Sequence, residues 1–242
     1  MDLGILFIGG DLTVTDQAII AQQSEQSGFK SLYMAEAYRS AWVPMTVMAT
    51  ATTTIRLGSY IINAYGHSPL MTALSAIDFN EFSKGRLVLG VGGGNHQINE
   101  KWHGIPHERV LTKMREYVEM LKLVSHSQIG EHVTYEGQIH SIDWTAVTEV
   151  TEKPFPVYLA AVFPRMMRVA AQVADGIAAG ATVSAEYLQK KIKPKAAEYA
   201  AIVNRDPASI GWKVGSLIAI DQDRERARRL AREGICSLYA PL

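Results

Sequence analysis

The run Gly90-Val91-Gly92-Gly93-Gly94-Asn95 closes an apolar stretch and opens a polar loop. Glycine there lets the backbone approach a ligand closely and frees N–H groups to point at it. A tight strand-to-helix turn would use the same residues. The spacing is not G-x-G-x-x-G, and the glycines follow the fourth apolar run instead of the first, which disfavours a dinucleotide-binding turn. Gly180-Ala181-Thr182 precedes a helix predicted to start near Ser184, where an anion could meet a helix N-terminus, or where Thr182 or Ser184 could be a plain N-cap. Glu36 ends the second run; a carboxylate there could orient a ligand, act as a base, or pair with Arg39. His67 and His96 lie in loops and read singly as surface or structural histidines. His103 and His107 are four apart, but Gly104 and Pro106 argue against the helix that a metal pair would need, so no metal site is expected. The sequence has neither a P-loop, nor G-x-S-x-G, nor H-E-x-x-H. Cys236 has no evident activating neighbour, and the arginines between Arg224 and Arg232 alternate with acids as on a solvated helix face.

These residues punctuate a recurring order of apolar run, turn and helix. The runs are Leu3 to Ile8, Ser31 to Ala35, Ile55 to Ile62, Leu87 to Val91, Val157 to Ala161, Ile177 to Ala179 and Val214 to Ile220. Helices are predicted over 15–28, with Thr15 as N-cap, and over 43–52, 69–82, 107–125, 164–174, 184–204 and 222–234, with Pro194 a kink or break in the sixth of them. Residues 131–150 depart from this order and read as an inserted hairpin. Runs apolar on both faces are the mark of parallel strands covered by helices. Both a closed (β/α)8 barrel and an open doubly wound sheet satisfy that pattern.

Composition narrows the class of function. Of 242 residues, 48% are hydrophobic and 20% charged, enough apolar matter for a large core. Lysine plus arginine and aspartate plus glutamate are both 24, so the formal net charge is zero and a nonspecific nucleic-acid binder is disfavoured. The single cysteine points to a reducing compartment, hence a cytoplasmic location, and no signal peptide or membrane span is read.

Three segments together resemble the luciferase-like flavin and deazaflavin oxidoreductases. They are Ile55–Gly58 with Asn63-Ala64-Tyr65-Gly66-His67-Ser68-Pro69; Ser83-Lys84-Gly85-Arg86 running to Gly94; and Pro156–Ala161 with Pro164-Arg165-Met166 and Ala174-Asp175-Gly176. The resemblance implies a TIM (β/α)8-type barrel over residues 1–242. It implies a hydride transfer between coenzyme F420 and a small organic substrate, with a flavin mononucleotide (FMN) monooxygenase as the alternative. A noncatalytic cofactor-binding protein or fragment is a third reading. It places a non-prolyl cis peptide at Tyr60-Ile61 behind the cofactor ring, with Gly92, Gly93, Gly94, Asn95, Ala160 and Ala161 beside it and the phosphate near Gly180, Ala181 and Thr182. A homo-oligomer, commonly a dimer, is the implied assembly. Glu36 is the catalytic candidate. The proton-handling residues of two family branches are absent: Ala37 stands where one has histidine, and Leu6 where another has glutamate. Seven strand–helix units and a hairpin fill the sequence, so the eighth unit is expected to be missing or truncated, or its gap covered by a partner.

Overall fold

In the computed structural model, the described residues are 2–10, 12–148, 150, 152–180 and 183–239. Strand β1 (Gly4–Phe7) leads to α1 (Val14–Gln26), β2 (Ser31–Met34) to α2 (Trp42–Thr50), and β3 (Arg56–Ser59) with β4 (Ile62–Asn63) to α3 (Pro69–Phe82). β5 (Leu87–Gly92) is followed by a π-helical turn over Gln97–Trp102 and by α4 (Val110–Ser125). The antiparallel hairpin β6 (His132–Glu136) and β7 (Ser141–Thr145) comes next, as expected for residues 131–150. β8 (Val157–Ala160) leads to α5 (Pro164–Val173), and β9 (Gly176–Ala179) to the short α6 (Ala185–Tyr187), a π-helical turn over Leu188–Ile192 and α7 (Lys193–Ala201). β10 (Gly211–Val214) and α8 (Arg224–Tyr239) end the described order.

Every pairing in the main sheet is parallel, in the order β1-β2-β3-β5-β8-β9-β10, with β4 extending the third position against β5. No described strand joins β10 back to β1. The sheet is curved, because Lys213 of β10 meets the ring of Tyr33 of β2 although those strands are far apart in the order. Strand residues of the other parity, Met34, Leu57, Leu89, Leu159 and Ile177, are fully buried against Met48, Ala73, Met114, Leu121 and Ala170 of the helices. Each such aliphatic side chain contributes about 1.5–3 kcal/mol on burial.

Local chemistry sets the element ends. α1 is capped by Thr13, not Thr15: the Thr13 hydroxyl accepts from the Asp16 N–H while the Asp16 carboxylate accepts from the Thr13 N–H, a reciprocal cap. Helix α4 starts at Val110, three residues later than expected, because Arg109 sits in the left-handed region. The helix expected over 184–204 is divided at Lys193-Pro194, where proline occupies the first turn of a new helix. The seventh strand is Gly211–Val214, which corrects the expected Val214–Ile220. Residues 215–220 form no strand, and Ile218 and Ile220 are among the most exposed apolar side chains.

Candidate active site

Glu36 emerges at the C-terminal end of β2, and the loop after β4 brings His67 to it. The His67 Nε2–H donates to Glu36 Oε2 at 2.9 Å, and the Asn63 N–H donates to the same oxygen at 3.0 Å. The Ala41 N–H reaches Glu36 Oε1 at 3.4 Å. Burial alone would raise the Glu36 carboxyl, but the bonds from His67, Asn63 and Ala41 outweigh it, and its pKa falls below the ordinary glutamate value. The Glu36 bond raises His67 above the ordinary histidine value despite partial burial. The expected alternative, pairing with Arg39, is not formed: Arg39 donates to the Leu12 carbonyl at 3.0 Å. His67, read from sequence as a lone histidine, is half of a pair.

A buried polar chain ties this pair to the glycine turn. Asn63 Nδ2–H donates to Asn99 Oδ1 at 2.8 Å, and Asn99 Nδ2–H donates to the Gly93 carbonyl at 2.7 Å and to His107 Nδ1 at 2.6 Å. Asn99 is fully buried and satisfied on both ends. It stands on the π-helical turn, which no periodicity of the sequence announced.

The floor of the site is the link between β3 and β4. The Tyr60-Ile61 peptide is cis, at the position that the resemblance implied. The half-buried Ile61 lies against Gly92, where an added Cβ would stand 2.9 Å from Ile61 Cδ1 and 3.0 Å from Ala160 Cβ. Gly92 is therefore bare because two side chains already fill its space. Gly94 takes φ +61°, and a Cβ there would meet Asn99 Oδ1 at 2.9 Å. Tyr60 reaches across the concave side and donates its hydroxyl hydrogen to the Ala179 carbonyl.

The structure thus brings together Ile61, Gly92, Ala160 and the turn Gly93-Gly94, with Glu36 joined through the hydrogen bond from its N–H to the Ile61 carbonyl at 3.2 Å. Asn95 has a local task, accepting from the Ile98 N–H at 2.8 Å. Ala161 is buried in the apolar layer. Gly180 is half-buried at the end of β9, while Ala181 and Thr182 lie outside the described residues. Ser184 is the N-cap of α6, accepting from the Tyr187 N–H at 3.1 Å.

The sequence profile of the luciferase-like monooxygenases matches residues 8–240. The chain belongs to this family. Among its family relatives, a 5,10-methylenetetrahydromethanopterin reductase of Archaeoglobus fulgidus is 31% identical over 99% of the chain and 70% of its own length. Two solved structures share the family fold. The coenzyme F420-dependent tetrahydromethanopterin reductase of Methanopyrus kandleri has a TM-score of 0.84 at 24% identity, covering 98% of this chain and 72% of that one. An F420-dependent secondary alcohol dehydrogenase, solved with an F420–acetone adduct, has a TM-score of 0.83 at 19% identity, covering 99% and 76%. Luciferase-like TIM barrels are thus the architecture to which the open parallel sheet corresponds.

Proposed function

We propose that this family member is a coenzyme F420-dependent oxidoreductase, moving a hydride between the deazaflavin and a small organic substrate, with the Glu36–His67 pair handling the accompanying proton. The observation that carries this reading is the adjacency of an apolar floor and an acid–base pair. Ile61 and Ala160 close over Gly92 to make the floor, and Glu36 is one hydrogen bond from its edge. Such a surface fits a planar ring. Bound there, the cofactor would supply the hydride chemistry, while the protein supplies orientation and electrostatics.

In this assignment Ile61, Gly92 and Ala160 contact the ring, with Tyr60 beneath. Gly93, Gly94 and Asn95 border it through backbone, and Ala161 supports it from the apolar layer. Gly180, Ala181 and Thr182 are the proposed phosphate contacts. Glu36 stays ionised because three donors hold it; the His67 Nε2–H is kept on Glu36, so the transferable proton of the imidazolium is the one at Nδ1. A histidine raised above its ordinary pKa and directed by a carboxylate can deliver a proton to a developing anion at neutral pH. The match to dehydrogenases named for F420 supports the cofactor choice. A homodimer in the cytoplasm is the proposed setting; among the described residues no helix is long and apolar enough to cross a membrane.

The test is a fluorescence titration with coenzyme F420 beside one with FMN, oxidised and reduced. Saturation by F420 at tens of micromolar or below is expected. Preference for reduced FMN would favour a monooxygenase instead, and tight binding without turnover on any substrate would mark a noncatalytic binder.

A further inference from the structure

The concave side of the sheet carries one group that the site above does not use. Lys213 of β10 is 9% exposed, and its Nζ is buried with no hydrogen-bond partner. The Nζ lies 4.2 Å from the ring centroid of Tyr33 of β2 and 4.4 Å from that of Tyr158 of β8. Glycines opposite make room for these rings: a Cβ on Gly211 would stand 2.1 Å from the Tyr158 hydroxyl oxygen. Tyr60 completes the enclosure. Its ring meets that of Tyr33 edge-on at 6.1 Å, and its hydroxyl is anchored by Ala179 of β9 and by Gly215, which follows β10. The box beneath the floor therefore consists of three tyrosines and one amine.

The charges facing Lys213 leave an ammonium there uncompensated. β2 offers Tyr33, β8 offers Tyr158, the β3–β4 link offers Tyr60, and β3 adds the like charge of Arg56. No described carboxylate forms an ion pair with Lys213; Asp175, which acts on Tyr158, is paired with Lys122 at 2.7 Å. Burial and Arg56 together push the lysine pKa well down. Ring faces stabilise a cation only in part. An anion held over Tyr60 would supply what the box lacks.

We propose that Lys213 is the counter-cation for an anionic ring bound over Tyr60, taking up a fraction of a proton from solvent as that ligand binds and returning it as the ligand leaves. This rests on the reading above, that the ligand is coenzyme F420, and adds that the hydroxyl of its deazaflavin ring is ionised when bound. The reaction at the side chain is amine plus proton to ammonium, with no other bond changed. Two unit charges about 10 Å apart at an effective dielectric near 20 interact strongly enough to shift a pKa by roughly one unit, or an affinity by about tenfold.

Isothermal titration calorimetry of coenzyme F420 into the protein at a series of pH values from 6 to 10, in paired buffers of different ionisation enthalpy, reads proton uptake from the difference in apparent enthalpy. Net uptake is expected for the unaltered protein and for His67→Gln. Lys213→Met should bind more weakly, by up to about tenfold, with no uptake, and Lys213→Arg, which stays protonated, should bind without uptake. As a second readout, the ionisation of the bound ring hydroxyl, followed by absorbance, should move up about one unit in Lys213→Met. Lys213→Arg keeps the charge and carries the test should the methionine variant fail to fold. Uptake unchanged in either Lys213 variant would overturn the proposal while leaving the cofactor reading intact. Failure of the unaltered protein to bind F420 would overturn both.

Discussion

His67 Nε2 and Glu36 Oε2 lie 2.9 Å apart, joining the loop after β4 to the end of β2 across 31 residues of sequence. If this pair handles the proton, Glu36→Gln and His67→Asn should lower kcat by about 10²–10⁴-fold. Deazaflavin affinity should change far less, since neither residue forms the floor. The kcat and cofactor Kd of each variant, measured in parallel, check this. Equal losses in both would assign the pair a binding role.

The same pair gives stability a defined pH dependence. Glu36 is lowered in the fold, so its contribution is present above the ordinary value of 4.5 and is lost as pH falls through its folded value. His67 is raised, so its contribution is present below the ordinary value of 6.5 and fades as pH rises through its folded value. The Tm difference between the unaltered protein and His67→Gln should therefore be largest between pH 4.5 and 6.5 and shrink toward pH 9. Thermal melts across that range read it directly.

Gly92→Ala tests the floor. The new methyl would crowd Ile61 Cδ1 at 2.9 Å and Ala160 Cβ at 3.0 Å. Overpacking of this kind costs about 1–3 kcal/mol. Cofactor affinity should fall at least tenfold. Urea denaturation and the fluorescence titration separate the two effects.

Glu116 tests the inserted hairpin. Its buried carboxylate accepts from the N–H groups of Gln138, Ile139 and His140 at 2.7, 2.9 and 2.9 Å. Glu116→Ala would leave those donors unsatisfied at a cost of about 1–3 kcal/mol. Hydrogen exchange should quicken across residues 132–145 and leave β2 and β3 protected.

Much of this architecture was legible in the residues. The alternation of apolar runs and helices gave the parallel order, and the motif around Tyr60-Ile61 placed the cis peptide correctly. The seventh strand was misplaced for a physical reason. Its inward positions are Gly211 and Lys213, shaped to the Tyr158 ring, so Gly-Trp-Lys-Val shows less apolar character than the exposed run that follows. The Glu36–His67 pair was not legible because only the register of β2, β3 and β4 brings its halves together. The bond between Asn63 and Asn99 was not legible either: Asn63 stood only as part of a motif, a lone asparagine such as Asn99 carries no periodic signal, and the bond spans 36 residues.

The most direct measurement is the affinity of the purified protein for coenzyme F420, followed by fluorescence, with FMN and reduced FMN as competitors. Saturable binding at tens of micromolar or tighter is expected, with F420 preferred and at least tenfold loss in Gly92→Ala. Absence of F420 binding in that range, or displacement of F420 by reduced FMN at equal concentration, would contradict it.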